Sequence, residues 1–476
     1  MLSTTPTPET SEKKKRGFRV PHVWTIILFC LILSGIMTYI VPAGEYARVE
    51  VAGRKVIDPA SFHYIEQSPV TPFKWFVSII EGLTASMAIM SMIWFTISAT
   101  EVYTQTGTLR KMIAWLLKVC KNNYILVMVA IMSFFAVRGA MGAFELHIPF
   151  VPMTIALALA CGCDVMTGLA LAIIPTFASF AIGPINPYTV AVAQGIAGLP
   201  VYSAMGFRVV IWLAICITAM WYVIRYAAKV KADPSKSVSG FINPSPSAET
   251  FDIEEMKKET MTGRQKILTV MLLVTIALQI VGPMQWKWGF AEIGAMWLIS
   301  GILAGVVAGF DNYKICHIMA DASAAIFAGV ICIGLARSVS VVLAKGQILD
   351  TVIYALSIPL QKIPSAFSAL GMLVIQSIIN FFIPSGSGQA AVTMPIMAPL
   401  ADVIGVTRQT AVLAFQLGDG LTNLIIPTMG ALVVYIGVAK IEFSTFFKWV
   451  LPLYGMLMAI GSAGLIIATV IKLGPF

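Results

Sequence analysis

Hydrophobic runs of roughly twenty residues, separated by short polar segments, recur from Val23 to Ile471, and they constrain the fold more than any other feature. About 20 apolar residues in a helix match the hydrocarbon thickness of a bilayer, whereas a soluble domain cannot bury a dozen such runs. Composition points the same way. Of 476 residues, 58% are hydrophobic and 12% charged, about half the roughly 25% of charge in soluble domains. The surface that would carry the missing charge faces lipid, which excludes a water-soluble enzyme.

The formal charge of +9 does not indicate nucleic acid, because Lys and Arg sit between the apolar runs instead of on one aromatic-rich face. The seven cysteines lie in or beside apolar runs and read as small buried hydrophobes. Cys161 and Cys163 are the only close pair, with no second pair or histidines to complete a metal site.

The first run, 23–41, follows a polar segment containing Lys13-Lys14-Lys15-Arg16. It is too long for a signal-peptide core and reads as a retained span with the N-terminus in the cytoplasm. Nine runs read as crossings: 23–41, 75–104, 166–197, 206–225, 266–282, 290–309, 320–344, 408–438 and 446–471. Two pairs of shorter runs flank polar, glycine-rich tips and read as re-entrant hairpins, 122–163 and 366–405. A shift of 243 residues places Pro152 on Pro395, Gly162 on Gly405, Thr167 on Thr410 and Pro184 on Pro427 without a gap, so hairpin and following helix occur twice. With nine crossings, 20 of the 32 Lys and Arg fall in cytoplasmic segments, the expected bias, and the repeats are inverted. The organisation expected is a cytoplasmic tail 1–22, a first repeat 23–225, a cytoplasmic linker 226–265, a connector helix 266–282 and a second repeat 290–476.

Backbone that leaves a helix at membrane depth exposes N–H and C=O groups that lipid cannot satisfy, so it must line a protein cavity. Four such places are expected: the two tips, and breaks in the spans at Gly183-Pro184-Ile185-Asn186-Pro187 and at Pro427-Thr428-Met429-Gly430. Helix N-termini meeting there suit a carboxylate, and freed carbonyls suit a cation. Around them stand Gly142, Glu145, Asn186 and Thr189 in the first half, and Ser385, Gly386, Ser387, Gly388, Gln389, Asp419, Asn423 and Thr428 in the second. These are the candidate substrate-binding residues; small residues packing helices closely are the alternative reading. Formal charges expected inside the membrane are Glu101, Arg138, Glu145, Arg337 and Asp419, with His147 beside the first tip. Asp419 is the best candidate to meet an ammonium group or coupling cation. Arg138 and Glu145 either neutralise each other or act in the site, while Glu101 and Arg337 read as scaffold. All remaining basic residues are expected to flank the spans.

No H-E-x-x-H, G-x-S-x-G or Walker motif is present, so neither an enzyme nor an ATP-driven pump is expected. A channel or receptor remains open on these residues. The stretches NFFIPSGSGQAAVTMPIMAP (380–399), VTRQTAVLAFQLGDG (406–420), IIPT (425–428) and NPYTVAVAQGIAGLP (186–200) resemble the YfcC family of basic amino acid antiporters. That family lies within the C4-dicarboxylate anaerobic carrier (DcuC-like) group of the ion transporter superfamily. The resemblance covers nearly the whole chain, with one departure: where the family carries an acidic pair at the first tip, this chain has Ala143-Phe144 and then Glu145. It implies secondary transport in a multi-pass inner membrane protein, by elevator-like movement against a scaffold that dimerises. The implied substrate is a basic amino acid, with arginine/ornithine-type exchange, or alternatively a dicarboxylate. No organic cofactor is expected; Na⁺ or H⁺ is the coupling-ion candidate.

Overall fold

The computed structural model describes residues 22–51, 54–58, 61–119, 123–242, 261–359 and 365–474; the basic run at 13–16 and the charged stretch of the linker at 254–259 lie outside them. In chain order the helices are α1 (Val23–Ile40), α2 (Pro72–Gln105), α3 (Thr108–Val119), α4 (Tyr124–Ala140), α5 (Val151–Ala160), α6 (Val165–Phe180), α7 (Val190–Ile196), α8 (Met205–Ala232) and α9 (Gly263–Trp286). They continue with α10 (Phe290–Ala308), α11 (Asn312–Lys345), α12 (Leu349–Ser357), α13 (Ser365–Phe382), α14 (Gly386–Val403), α15 (Arg408–Thr422), α16 (Gly430–Val438) and α17 (Phe443–Val470). Among the described residues the protein is all-helical apart from four short strands in the polar loop after α1. There β1 (Gly44–Glu45) pairs with β4 (His63–Tyr64), and β2 (Arg48–Val51) with β3 (Arg54–Ile57).

Seven unbroken helices among the described residues (α1, α2, α8, α9, α10, α11 and α17) are long and apolar enough to cross a membrane. The runs 166–197 and 408–438 instead form two helices each, α6 with α7 and α15 with α16, separated at the prolines. Pro184, Pro187 and Pro427 donate no N–H, so the helical ladder cannot pass through them. Two short helices were not anticipated. α3 and α12 each lie between a long helix and a hairpin, and α3 buries Leu109, Ile113 and Ala114 while carrying Arg110 and Lys111. That pattern suits a bilayer surface better than a crossing.

α2 and α11 have 34 residues each, about 51 Å of helix, which exceeds a hydrocarbon core of about 30 Å and demands tilt. They run antiparallel and touch along their length. A Cβ on Gly82 would stand 2.4 Å from Gly334 O, and Ser98 Oγ bonds Met319 O at 3.0 Å and Ser323 Oγ at 2.8 Å.

Each hairpin wraps the first part of a broken helix. α4 and α5 enclose α6, every residue of which is buried, and α13 and α14 enclose α15, buried from Gln409 to Thr422. The local geometry matches between halves at the 243-residue shift. α5 ends at Gly162 with φ +75° and α14 at Gly405 with φ near +74°, the left-handed cap that glycine adopts without strain. Behind them Cys163 N donates to Ala158 O and Val406 N to Ala401 O, both at 2.9 Å. Asp164 then caps α6 through Thr167 N at 2.9 Å, and Thr407 caps α15 through Thr410 N at 3.2 Å. The halves meet where Gly420 of α15 crosses the first break: a Cβ there would lie 2.2 Å from Ala181 Cα.

Candidate functional site

Both hairpin tips close on one segment, residues 186–189 of the first break. At the first tip Gly142, with φ +85°, leaves no room for a side chain: a Cβ would stand 2.6 Å from the Tyr188 ring and 3.0 Å from Asn186 Oδ1. Asn186 is fully buried, and its Oδ1 accepts from Tyr188 N at 2.9 Å, an Asx-type turn that replaces the helical bonds lost at Pro187. At the second tip a Cβ on Gly386 would lie 2.6 Å from Thr189 Cγ2, 3.3 Å from Asp419 Oδ2 and 3.7 Å from Tyr188 O. Thr189 and Asp419, from different halves, are therefore brought together beside the first turn of α14.

Ser385 caps that turn, its Oγ accepting from Gly388 N at 3.4 Å. Gln389 is fully buried and donates to Gln376 O and Oε1 at 2.8 and 2.7 Å. Ser387 differs from the other tip residues in being exposed.

Asp419 is fully buried on α15, and neither carboxylate oxygen has a hydrogen-bond partner. Its main-chain oxygen accepts from Asn380 Nδ2 at 2.7 Å, and the same amide donates to Thr422 Oγ1 at 2.7 Å and Asn423 Oδ1 at 2.9 Å. Asn380 Oδ1, Gln389 Oε1 and Thr428 Oγ1 are also buried without partners. These five oxygens, two of them on Asp419, have no donor among the described residues, in a chain region where an unmet polar group costs several kcal/mol. The buried carboxylate of Asp419 suits an ammonium group, a proton or a hard monovalent cation. No group of three His, Cys, Asp or Glu that could hold a metal ion occurs among the described residues.

The sequence reading placed Arg208 in a flanking loop, and the structure corrects this. Arg208 is in the first turn of α8 and fully buried. Its Nη1 donates to Gln416 Oε1, and its Nη2 to Gln409 Oε1 at 3.2 Å. Gln416 Nε2 in turn donates to Gly183 O at 2.8 Å and Thr189 Oγ1 at 3.4 Å, so a carbonyl released by the first break is satisfied from the other half. Gln409 Nε2 reaches Ser203 Oγ at 2.8 Å, and Gln194 Nε2 reaches Gln409 Oε1 at 3.0 Å. The only signal was an arginine two residues inside the apolar run 206–225, and it reads equally well as a charge at a span end.

The remaining charges sort by their surroundings. Glu145 is half-buried at the start of a 3₁₀ turn, Glu145–Phe150, and forms no ion pair with Arg138; no such bridge exists among the described residues. The backbone on either side of it is held by other helices: Tyr435 Oη of α16 donates to Phe144 O at 3.0 Å and Gln279 Nε2 of α9 to Leu146 O at 2.6 Å. His147 is buried against Phe134, Phe135 and Phe150, and its Nδ1 bonds Thr176 Oγ1 at 2.9 Å. Arg337 is exposed on α11, and Glu101 is buried in α2 with Gln105 Nε2 at 3.4 Å.

A model of the C4-dicarboxylate anaerobic carrier family, DcuC, matches residues 20–470. The chain belongs to this family. It is accordingly a membrane transporter and not an enzyme. The Escherichia coli (strain K12) protein YfcC, provisionally named a basic amino acid antiporter, is 29% identical over 493 aligned positions covering 95% of this chain and 97% of the relative. An uncharacterized protein of Haemophilus influenzae (strain ATCC 51907 / DSM 11121 / KW20 / Rd) is 26% identical over 513 positions, covering 96% and 98%. Two solved transporters align over most of their length at 16% identity: MtrF of Neisseria gonorrhoeae, described as an antimetabolite efflux pump, covering 96% of each chain with a TM-score of 0.45, and YdaH of Alcanivorax borkumensis, covering 96% and 100% with a TM-score of 0.42. Both scores fall below the level at which a shared fold follows.

Proposed function

We propose that the chain is a secondary active transporter of a small carboxylate-bearing metabolite, a basic amino acid exchanged in the arginine/ornithine manner, carried by elevator-like movement of the two hairpins and broken helices against α2 and α11. One observation carries the substrate class: Asp419, fully buried beside the second tip, with both oxygens unpartnered. A carboxylate in that position needs a positive partner, and the cationic end of the substrate or a coupling Na⁺ or H⁺ supplies it. The provisional name of YfcC supports the amino acid reading. The family name favours a second reading, a C4-dicarboxylate carrier, in which Asp419 would hold the coupling cation alone.

The matched caps at Gly162 and Gly405 and at Asp164 and Thr407 support two structural repeats, inverted if the hairpins enter from opposite sides. On that topology the N-terminus is cytoplasmic and the protein a multi-pass inner membrane carrier, and the scaffold dimerises. Counterflow in proteoliposomes tests the substrate. Preloaded arginine or ornithine is expected to accelerate uptake of labelled arginine; acceleration by succinate or fumarate, with no response to any basic amino acid, would select the dicarboxylate reading. Asp419→Asn is expected to reduce exchange to background, and normal rates in that variant would remove Asp419 from the mechanism.

A further inference from the structure

Arg208 is a charge to which the reading around Asp419 assigns no task. A guanidinium has five N–H donors. Here one nitrogen meets Gln416 and another meets Gln409 at 3.2 Å, both neutral amides, and Nε meets nothing. No acid among the described residues forms an ion pair with it. Asp402, in the last turn of α14, is engaged by Arg408 at 2.7 Å, and Asp419 has no partner at either oxygen. A buried cation with spare donors and no counter-anion is costly, and in a membrane interior such a group marks a ligand position more often than a structural one.

Its place fits that role. Gln409 and Gln416 are seven residues apart on α15, about 10 Å along the axis, and Arg208 bridges them. The connected polar groups run from Ser203, in the half-buried loop before α8, through Gln409, Arg208 and Gln416 to Thr189, which touches Gly386 beside Asp419. Asp419 lies one turn beyond Gln416 on the same helix. One column thus holds a positive station and a negative station, and the other buried polar groups beside it are neutral.

We propose that Arg208 is the carboxylate anchor of the transported substrate, with Gln409 and Gln416 holding its guanidinium fork and Asp419 serving the cationic end. This rests on the carrier reading above. Nε and the second hydrogen of an η nitrogen remain as two parallel donors, which the two oxygens of a carboxylate accept together and the single oxygen of an amide cannot. Arg208 is therefore a specificity-determining residue: it separates acids from their amides.

Thermal-shift titration of the purified full chain tests this, with L-arginine, L-argininamide, succinate and succinamide as probes. The wild type is expected to bind at least one acid more tightly than its amide. Arg208→Gln is expected to weaken that acid about 10- to 100-fold, the value of a charge-assisted bond, and to leave the amide within about twofold. Arg208→Lys is expected to keep part of the preference. An Arg208→Gln protein that retains the full preference overturns the anchor. A wild type that binds acid and amide alike also overturns the anchor, and one that responds to none of the four defeats the carrier's substrate class instead. If Arg208→Gln does not yield folded protein, Gln416→Glu decides. It places an internal carboxylate against the guanidinium, at the loss of the donor to Gly183 O, and is expected to weaken the acid about tenfold; unchanged acid affinity again overturns the proposal.

Discussion

At the residue scale the centre is built by what is left out. Gly386 has ordinary backbone, yet a Cβ there would press on Thr189 at 2.6 Å and approach Asp419 Oδ2 at 3.3 Å. Gly162 is the opposite case, with φ +75° and nothing within 4 Å of a Cβ. Gly386→Ala is therefore expected to cut exchange at least about tenfold with little change in melting temperature, whereas Gly162→Ala is expected to cost about 1–2 kcal/mol of left-handed strain and leave the exchange rate per folded molecule unchanged. Equal losses of stability and exchange in the two variants would show that the second tip is not part of the site. The candidates Asn186, Gln389, Asp419 and Asn423 were legible because polar residues stand out in apolar runs next to glycine and proline. Asn380 and Gln376 were not, since an amide within a hydrophobic run has no mark distinguishing a buried clamp from a surface residue until its neighbours across the fold are known.

At the scale of elements, breaks are local and crossings are not. The ends of α5, α6, α14 and α15 follow from a glycine, a capping side chain or a proline within a few residues, so the sequence carries them. The near-contact of α2 and α11 has no local signature. Gly82 and Gly334 are 252 positions apart and ordinary within their runs, yet Gly334 O lies 2.4 Å from where a Gly82 side chain would begin. In lipid, helices associate through such close packing because no hydrophobic force separates them from the solvent around them. Gly82→Val must push the long helices apart and is expected to lower the melting temperature by several degrees, an overpacking cost of about 1–3 kcal/mol; Thr84→Val, on an outward position of the same helix, is expected to leave it unchanged. The same melting temperature for both would mean that this crossing does not hold the scaffold.

At the scale of the molecule, the proposed inverted arrangement, in keeping with the charge bias, sets the orientation to be tested. With the native cysteines replaced by serine, Gly240→Cys is expected to react only with a reagent admitted to the cytoplasm and Lys287→Cys only from outside. Labelling of both from one side would break the nine-crossing topology. The sequence alone determined the membrane class, the helix ends and the interruptions at Gly183–Pro187 and Pro427–Gly430, because burial in lipid, lost N–H donors and caps act within one turn of the chain. Tertiary structure decided which polar groups meet. Both tips close on 186–189, Gln416 satisfies Gly183 across the halves, and Arg208 stands inside the protein, not at its surface. The scarce charges that identify the class are legible as composition, but the partner of a charge is set by packing between segments hundreds of residues apart, and no local rule encodes that distance.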